Sequence, residues 1–226
     1  MKNYLKKNRF ILNLRNTFRS YNLAKNNKGQ MRVDTEPGKL LSNFILNNQI
    51  EKVLEIGTWN GLGSTSTILN SLKRKNNNYE FTSLESDKIF YKRAVKNLKI
   101  DKQNINLKLG RIIEISDLPS IKDINFEKHG LIKENKEWFI QDIRRYKKIK
   151  NILNELSNNY DFILFDGGEF STYSEFLTLY KRTLFFGLDD IKTFKQYDVL
   201  KYIESNKNKF EHIVGCSSFS IYKVIA

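Results

Sequence analysis

Short apolar runs alternate with segments of helical periodicity along most of this chain. The apolar runs are typical of buried strands, because a strand that is covered on both faces loses its polar positions. They lie at residues 52–57, 80–84, 106–109, 160–166, 183–188, 212–214 and 219–225. Helical spacing precedes the first run, at residues 39–47, and occurs between later runs, at residues 68–72, 89–98 and 199–205.

This alternation of strands and helices predicts a doubly wound α/β domain with a mostly parallel sheet. Too few residues separate the last two strands for a parallel crossover, so we expect a C-terminal antiparallel hairpin. The predicted domain covers residues 36–226. It carries a helical insertion at about 116–148, which is longer than a simple connection needs. Trp138, Arg144, Arg145 and Tyr146 lie in the insertion, which we expect to cover the substrate side of the site.

Residues 1–35 are predicted to form a basic helical extension. Phe10, Leu14 and Phe18 recur four residues apart between Lys and Arg positions, as in an amphipathic helix. We expect this stripe to dock on the domain or on a second copy, which would give a homo-oligomer. Binding to an anionic membrane surface is the alternative.

Composition adds constraints on partners and compartment. The net charge of +14 would attract phosphates or nucleic acid, but abundant Lys, Asn and Ile also fit an AT-rich coding bias. A single cysteine, Cys216, excludes an internal disulfide and favours a reducing, cytoplasmic setting. We expect no membrane span, because no apolar run approaches about 20 residues.

A ligand site is predicted between Val53 and Thr65. A strand, a glycine-rich turn and a helix follow one another there, which brings bare backbone against a ligand. Glu55 could pair with a cationic amino group, and Glu85, after the next strand, could accept both hydroxyls of a ribose. A nicotinamide cofactor is disfavoured, because Trp59 replaces the second glycine of Gly-x-Gly-x-x-Gly.

The spacing of Glu55, Gly57 and Gly61 resembles the first motif of class I S-adenosylmethionine-dependent methyltransferases. The variant Glu-Ile-Gly-Thr is similar to that of catechol-type O-methyltransferases. The resemblance runs from about residue 36 to the C-terminus, apart from the insertion. It implies an S-adenosylmethionine site made by Glu55, Gly57, Thr58, Trp59, Gly61, Ser64 and Glu85.

Three aspartates follow two of the predicted strands. Asp166 ends one strand and Asp189-Asp190 end the next, so all three should meet at one sheet edge. Converging carboxylates repel one another unless a cation lies between them, and oxygen ligands suit Mg²⁺. The arrangement resembles the metal site of catechol-type and macrocin-type O-methyltransferases, which implies assistance by Mg²⁺. Alternatively, one or two of these acids cap helices or bind water.

The candidate catalytic residues are Asp166 and Glu169. The resembled families commonly carry an Asp or a Lys two or three residues past the first metal ligand, where this chain has Gly168 and Glu169. Glu169 would then act as the proton acceptor or as a further ligand.

The sequence therefore predicts an S-adenosylmethionine-dependent O-methyltransferase that acts on a small-molecule or glycosyl hydroxyl. The basic insertion suggests an anionic acceptor. The net charge of +14 keeps a nucleic-acid methyltransferase as an alternative. Enzymes that methylate the exocyclic amines of bases usually carry a Pro-Pro-aromatic loop after the fourth strand, however, and Asp166-Gly167-Gly168-Glu169 is not that loop. A catalytically silent methyltransferase-like module in glycan assembly is the other alternative.

Overall fold

The computed structural model describes residues 29–100, 104–122, 124 and 133–225. Its sheet has seven strands in the order β3-β2-β1-β4-β5-β7-β6. The strands are β1 (Lys52–Ile56), β2 (Glu80–Glu85), β3 (Asn106–Leu109), β4 (Tyr160–Phe165), β5 (Thr183–Asp189), β6 (Phe210–Gly215) and β7 (Phe219–Val224). The α-helices of the described residues are α1 (Glu36–Asn47), α2 (Ser64–Lys75), α3 (Lys88–Leu98), α4 (Lys133–Tyr146), α5 (Thr172–Leu179) and α6 (Phe194–Ser205).

The pairing of the strands confirms the predicted fold class. Strands β1 to β5 pair in parallel with one another, whereas β7 runs antiparallel to both β5 and β6. The chain builds outward from β1 to β3 and then returns to place β4 on the other side of β1. Such a reversal opens a crevice beyond the carboxyl ends of the two central strands.

Strand β4 shows why the central strands read as continuous apolar runs. Phe162 and Leu164 pack in the cluster on one face of the sheet, while Ile163 and Phe165 pack in the cluster on the other. All four side chains are fully buried. Successive side chains of a strand point to opposite faces, so helices on both faces require hydrophobic residues at every position.

Several helices begin earlier than their apolar spacing predicts, because capping residues fix the first turn. Helix α1 starts at Glu36, where the Thr35 hydroxyl accepts a hydrogen bond from the Gly38 backbone N–H at 3.3 Å. Asp87 accepts bonds from two backbone N–H groups at the start of α3. Helix α6 begins five residues before the predicted start at residue 199, and its first turn buries Lys195 and Gln196 rather than apolar residues.

The structure describes part of the predicted insertion but only the last residues of the predicted N-terminal extension. Helix α4 lies within the predicted insertion, and the stripe of Phe10, Leu14 and Phe18 lies outside the described residues.

The segment before α1 is held against the domain at Met31. The Met31 side chain is buried, and its carbonyl accepts a hydrogen bond from the Thr67 hydroxyl at 2.7 Å. No helix of the described residues combines the length and the apolar character that crossing a bilayer requires.

An aromatic cluster around Phe176 ties α5 to the sheet. The Phe176 ring is fully buried, and its centroid lies 5.5 Å from that of Phe165 and 5.3 Å from that of Phe186. Tyr180 stacks on the same ring at 5.0 Å. Helix α5 is therefore held against β4 and β5 by ring contacts just below the carboxyl edge of the sheet.

Replacing Phe176 by Ala should lower the free energy of unfolding by about 3–5 kcal/mol, because it removes a buried ring and leaves a cavity. Urea denaturation measures the change. Leu177→Ala is the matched control, since Leu177 follows in the same helix but is 40% exposed. Equal losses in the two variants would contradict the assignment of Phe176 to the core.

Candidate functional site

A cavity of about 360 Å³ lies at the carboxyl ends of β1, β2 and β4. Residues 29–31, the loops after these strands, the end of β5 and the last turn of α4 contribute to its wall. Five of the seven residues predicted to hold the cofactor line this cavity: Gly57, Thr58, Trp59, Ser64 and Glu85. Asp166 and Asp189 line it as well, so one cavity combines both predicted parts of the site.

The turn after β1 depends on Gly57. Its φ is +99°, and a Cβ atom at this position would lie 2.0 Å from the backbone oxygen of Asp166. Only glycine therefore lets the turn after β1 approach the end of β4 so closely. Trp59 follows at φ +49°, with its ring centroid 6.0 Å from that of Phe90 on α3. Gly61 lies behind the turn, against Leu98.

Glu85 presents its carboxylate to the cavity from the end of β2. One oxygen accepts a hydrogen bond from the Trp59 backbone N–H and the other from the Asp87 backbone N–H, each at 2.7 Å. Burial raises the pKa of Glu85 to about 7, although the two hydrogen bonds act in the opposite direction and lower it. Each oxygen keeps a further lone pair, so the carboxyl group can still accept from a diol.

Glu55 lies behind the glycine-rich turn and is not part of the cavity wall. Its side chain is fully buried, and one carboxylate oxygen accepts hydrogen bonds from Thr65 Oγ1 at 2.7 Å and Ser83 Oγ at 2.5 Å. Burial raises its pKa to about 7, despite hydrogen bonds from Ser64, Ser83 and Thr65. The pairing of Glu55 with a cofactor amino group stays a prediction.

The three aspartates after β4 and β5 come together, with one carboxylate oxygen of each within 4.8 Å of the others. Lys195 lies among them: its Nζ is 2.5 Å from Asp166 Oδ1 and 3.1 Å from Asp190 Oδ2. The lysine side chain is only 5% exposed. A cation from the chain itself therefore occupies the acidic cluster.

The pKa values in this cluster depend on the neighbouring charges. Burial alone would lower the pKa of Lys195, but the carboxylates of Asp166, Asp190 and Asp189 outweigh it and raise that pKa. Burial and the neighbouring charge of Asp166 raise the pKa of Asp189 to about 8. Lys195 thus stays protonated throughout the neutral range.

Glu169 is half-buried beside this cluster but does not line the cavity. Burial raises its pKa, and a hydrogen bond from the Lys195 backbone acts in the opposite direction. Of the two predicted catalytic residues, only Asp166 reaches the cavity wall.

The last turn of α4 brings a second group of polar side chains to the cavity. Arg145 contacts Asp87 at 2.9 Å and Asp142 at 3.0 Å, and the Tyr146 hydroxyl donates to Glu175 at 3.1 Å. Burial raises the pKa of Glu175 to about 7. The insertion therefore reaches the carboxyl edge through Asp142, Arg145 and Tyr146.

Arg144 and Trp138 take no part in this wall. Both are exposed, Trp138 by 49%, and neither lines the cavity. Of the four residues of the insertion singled out from sequence, Arg145 and Tyr146 line the cavity, whereas Trp138 and Arg144 do not.

Sequence reasoning missed Lys195, Asp142 and Glu175. Asp142 and Glu175 lie on helices at positions that carry no motif. The one signal that Lys195 could have left is a cation in the first turn of a helix, where it opposes the helix dipole, but apolar spacing placed the start of α6 at residue 199. In a chain with 39 Lys and Arg residues that signal is weak.

No protein-family model and no curated protein matches this sequence. Solved structures do match. An O-methyltransferase from Bacillus cereus in complex with SAH is 16% identical, with a TM-score of 0.53 over 85% of this chain and 83% of that chain. An SAH-bound methyltransferase from Podospora anserina is 10% identical, with a TM-score of 0.52 over 84% and 78%.

A methyltransferase from Geobacter sulfurreducens is also 10% identical, with a TM-score of 0.53 over 87% of this chain and 81% of that chain. At such identities the likeness establishes the fold. The chain has the class I methyltransferase fold that its sequence resembles.

Glu55 provides a test of the electrostatics behind the turn. Its pKa is raised to about 7, so the folded protein holds this proton to higher pH than the unfolded chain does. Its stabilising contribution is therefore complete below the ordinary pKa and is lost as the pH rises through about 7. In Glu55→Gln, which cannot titrate, the fall in unfolding free energy from about pH 5 to 7 should shrink by about 1–3 kcal/mol.

Chemical denaturation at a series of pH values gives this difference. Glu51→Gln serves as the control, because Glu51 is exposed and directly precedes the same strand. Parallel pH profiles for Glu55→Gln and the unaltered protein would show that Glu55 carries no shifted proton.

Proposed function

We propose that this protein is an S-adenosylmethionine-dependent methyltransferase that methylates a hydroxyl of a small-molecule or glycosyl acceptor. The observation that carries the proposal is the cavity at the reversal point of a class I methyltransferase fold, with Glu85 at one side and Asp166 at the other. Fold alone does not imply function, so the argument rests on the side chains of this cavity.

The wall between Gly57 and Glu85 suits the cofactor. Glu85 is held by two backbone N–H groups, so its carboxyl oxygens are fixed where they can accept from the two hydroxyls of a ribose. Trp59 and Phe90 add an apolar surface beside it, and Gly57 leaves the backbone bare. S-adenosylmethionine supplies, when bound, a methyl group on a positively charged sulfur.

The wall around Asp166 suits the acceptor. Asp166 reaches the cavity and can accept the proton that leaves an acceptor hydroxyl, whereas Glu169 lies outside the wall. Lys195 also lines the cavity, so its ammonium group can donate a hydrogen bond to an oxygen that becomes negative. Further hydroxyls of the acceptor can donate to the Tyr146 hydroxyl oxygen, whose own proton is donated to Glu175, and to the Glu175 carboxyl group.

Magnesium, which the resemblance to metal-dependent O-methyltransferases implies, has suitable donor oxygens in the three aspartates. Two of these carboxylates already bind the ammonium group of Lys195, at 2.5 and 3.1 Å. The residues present therefore do not accommodate Mg²⁺ together with Lys195 in this arrangement, and the mechanism includes no metal step.

The charges of the wall bear on the acceptor. Its described cationic side chains, Arg111, Arg145 and Lys195, each have a carboxylate partner within 3.0 Å. An anionic acceptor or a nucleic-acid phosphate would compete with those partners. This supports a neutral, hydroxyl-bearing acceptor over the anionic one that the basic insertion suggests.

The first experiment is a titration of the protein with S-adenosylhomocysteine by calorimetry. We expect saturable binding, and Glu85→Ala should weaken it by about 1–3 kcal/mol, because the ribose hydroxyls lose their acceptor. Glu80→Ala is the matched control, since Glu80 begins the same strand and is 73% exposed. Failure of the unaltered protein to bind at millimolar ligand would end the proposal.

The second experiment follows transfer of a labelled methyl group from S-adenosylmethionine to a panel of acceptors. We expect transfer to a neutral sugar or phenolic hydroxyl and loss of it in Asp166→Asn, with binding of S-adenosylhomocysteine retained. Transfer to RNA or DNA instead would favour the nucleic-acid alternative. Binding without transfer to any acceptor class would favour a catalytically silent module.

A further inference from the structure

Lys195 is buried as a cation at the center of the acidic cluster. Its side chain is 5% exposed, and its Nζ contacts Asp166 Oδ1 at 2.5 Å and Asp190 Oδ2 at 3.1 Å. Lysine is almost never buried so completely unless it is paired with a carboxylate. It also lies in the first turn of α6, where the helix dipole disfavours a cation, so the aspartates must supply the compensation.

The backbone around Lys195 is fixed from both sides. Gln196 is fully buried, and its side-chain amide donates to the Phe165 carbonyl at 3.0 Å and to the Asp189 carbonyl at 2.9 Å. The turn before α6 closes with a bond from the Thr193 N–H to the Asp190 carbonyl at 2.9 Å. The start of α6 is thus bound to the ends of β4 and β5, and the lysine side chain is directed between them.

We propose that Lys195 is the resident cation of this site and takes the role that a divalent metal would have in an aspartate cluster of this kind. A metal bound by these oxygens would lie about 2 Å from them and directly beside the ammonium group. The two like charges would repel at that separation in a partly buried site. Metal binding would therefore require the lysine to leave a position that the start of α6 holds in place.

The consequence for catalysis rests on the proposed methyl transfer. Lys195 has three N–H groups, of which two are used by Asp166 and Asp190, and the residue lines the cavity. The remaining N–H can orient an acceptor oxygen toward the cofactor side of the cavity. Lys195 then contacts the acceptor oxygen directly and supplies a fixed positive charge without an exchangeable ion.

Metal titration tests the proposal without any need for activity. Mn²⁺ is added to the full-length protein, and free Mn²⁺ is followed by electron paramagnetic resonance. We expect no saturable binding to the unaltered protein in the millimolar range. Lys195→Met removes the charge at similar volume and should bind Mn²⁺ at least about ten-fold tighter, because the competing cation is gone. Adding Asp189→Asn to this variant should abolish the gain.

Lys192→Met is the matched control, because Lys192 is exposed and precedes the same helix; it should behave as the unaltered protein does. Tight Mn²⁺ binding by the unaltered protein, lost in Asp189→Asn, would overturn the proposal. So would a Lys195→Met variant that binds no more tightly than the control.

A second measurement covers the case in which Lys195→Met does not fold. The melting temperature of the unaltered protein should be the same in EDTA and in millimolar Mg²⁺, and a rise with Mg²⁺ would overturn the proposal. Once transfer is detected, EDTA should leave its rate unchanged, and loss of activity in EDTA would refute a resident lysine cation. Absence of transfer would count against the proposed function alone, since the metal titration stands without it.

Discussion

Parallel pairing of β1 with β4 places Ile56 beside Phe165. The segments that follow these two strands must then separate within one or two residues, because they lead to helices on opposite faces of the sheet. The two segments remain close at this point. The Asp166 N–H still donates to the Ile56 carbonyl at 2.9 Å, and a Cβ atom at position 57 would lie 2.0 Å from the Asp166 backbone oxygen. Because no Cβ is present, the crevice opens directly at the strand ends. The cavity, the position of Asp166 and the path of the glycine-rich turn all follow from this close approach.

Buried carboxyl groups are the second constraint on this edge of the sheet. Glu55, Glu85, Glu175 and Asp189 all have raised pKa values, with burial as the main cause. Hydrogen bonds offset part of the free-energy cost of burying these carboxyl groups. They come from hydroxyl groups around Glu55, from backbone N–H groups at Glu85 and from a tyrosine at Glu175. At the aspartate cluster the chain uses a full positive charge instead. An acidic cluster in a methyltransferase fold is therefore not sufficient evidence for a metal site, because a lysine from a neighbouring helix can satisfy the same carboxylates.

The fold was largely accessible from sequence. Buried parallel strands need hydrophobic residues at every position, and this leaves a strong local pattern, as the run that became β4 shows. Helix starts were less accessible, because Thr35 and Asp87 set them through capping bonds that apolar spacing does not record. The start of α6 was missed for a related reason, since its buried first turn is polar.

For the site, the sequence by itself determined which strands end in carboxylates and where a bare turn follows β1, since both are local properties of the chain. That is why Gly57, Glu85 and Asp166 could be named in advance. Only the tertiary structure decided that Glu55 lies behind the turn, that Asp142 and Glu175 face the cavity, and that Lys195 enters the aspartate cluster. Each of these depends on how a helix packs against the sheet. A lysine that will be buried among carboxylates has the same local sequence signal as one that will be solvated.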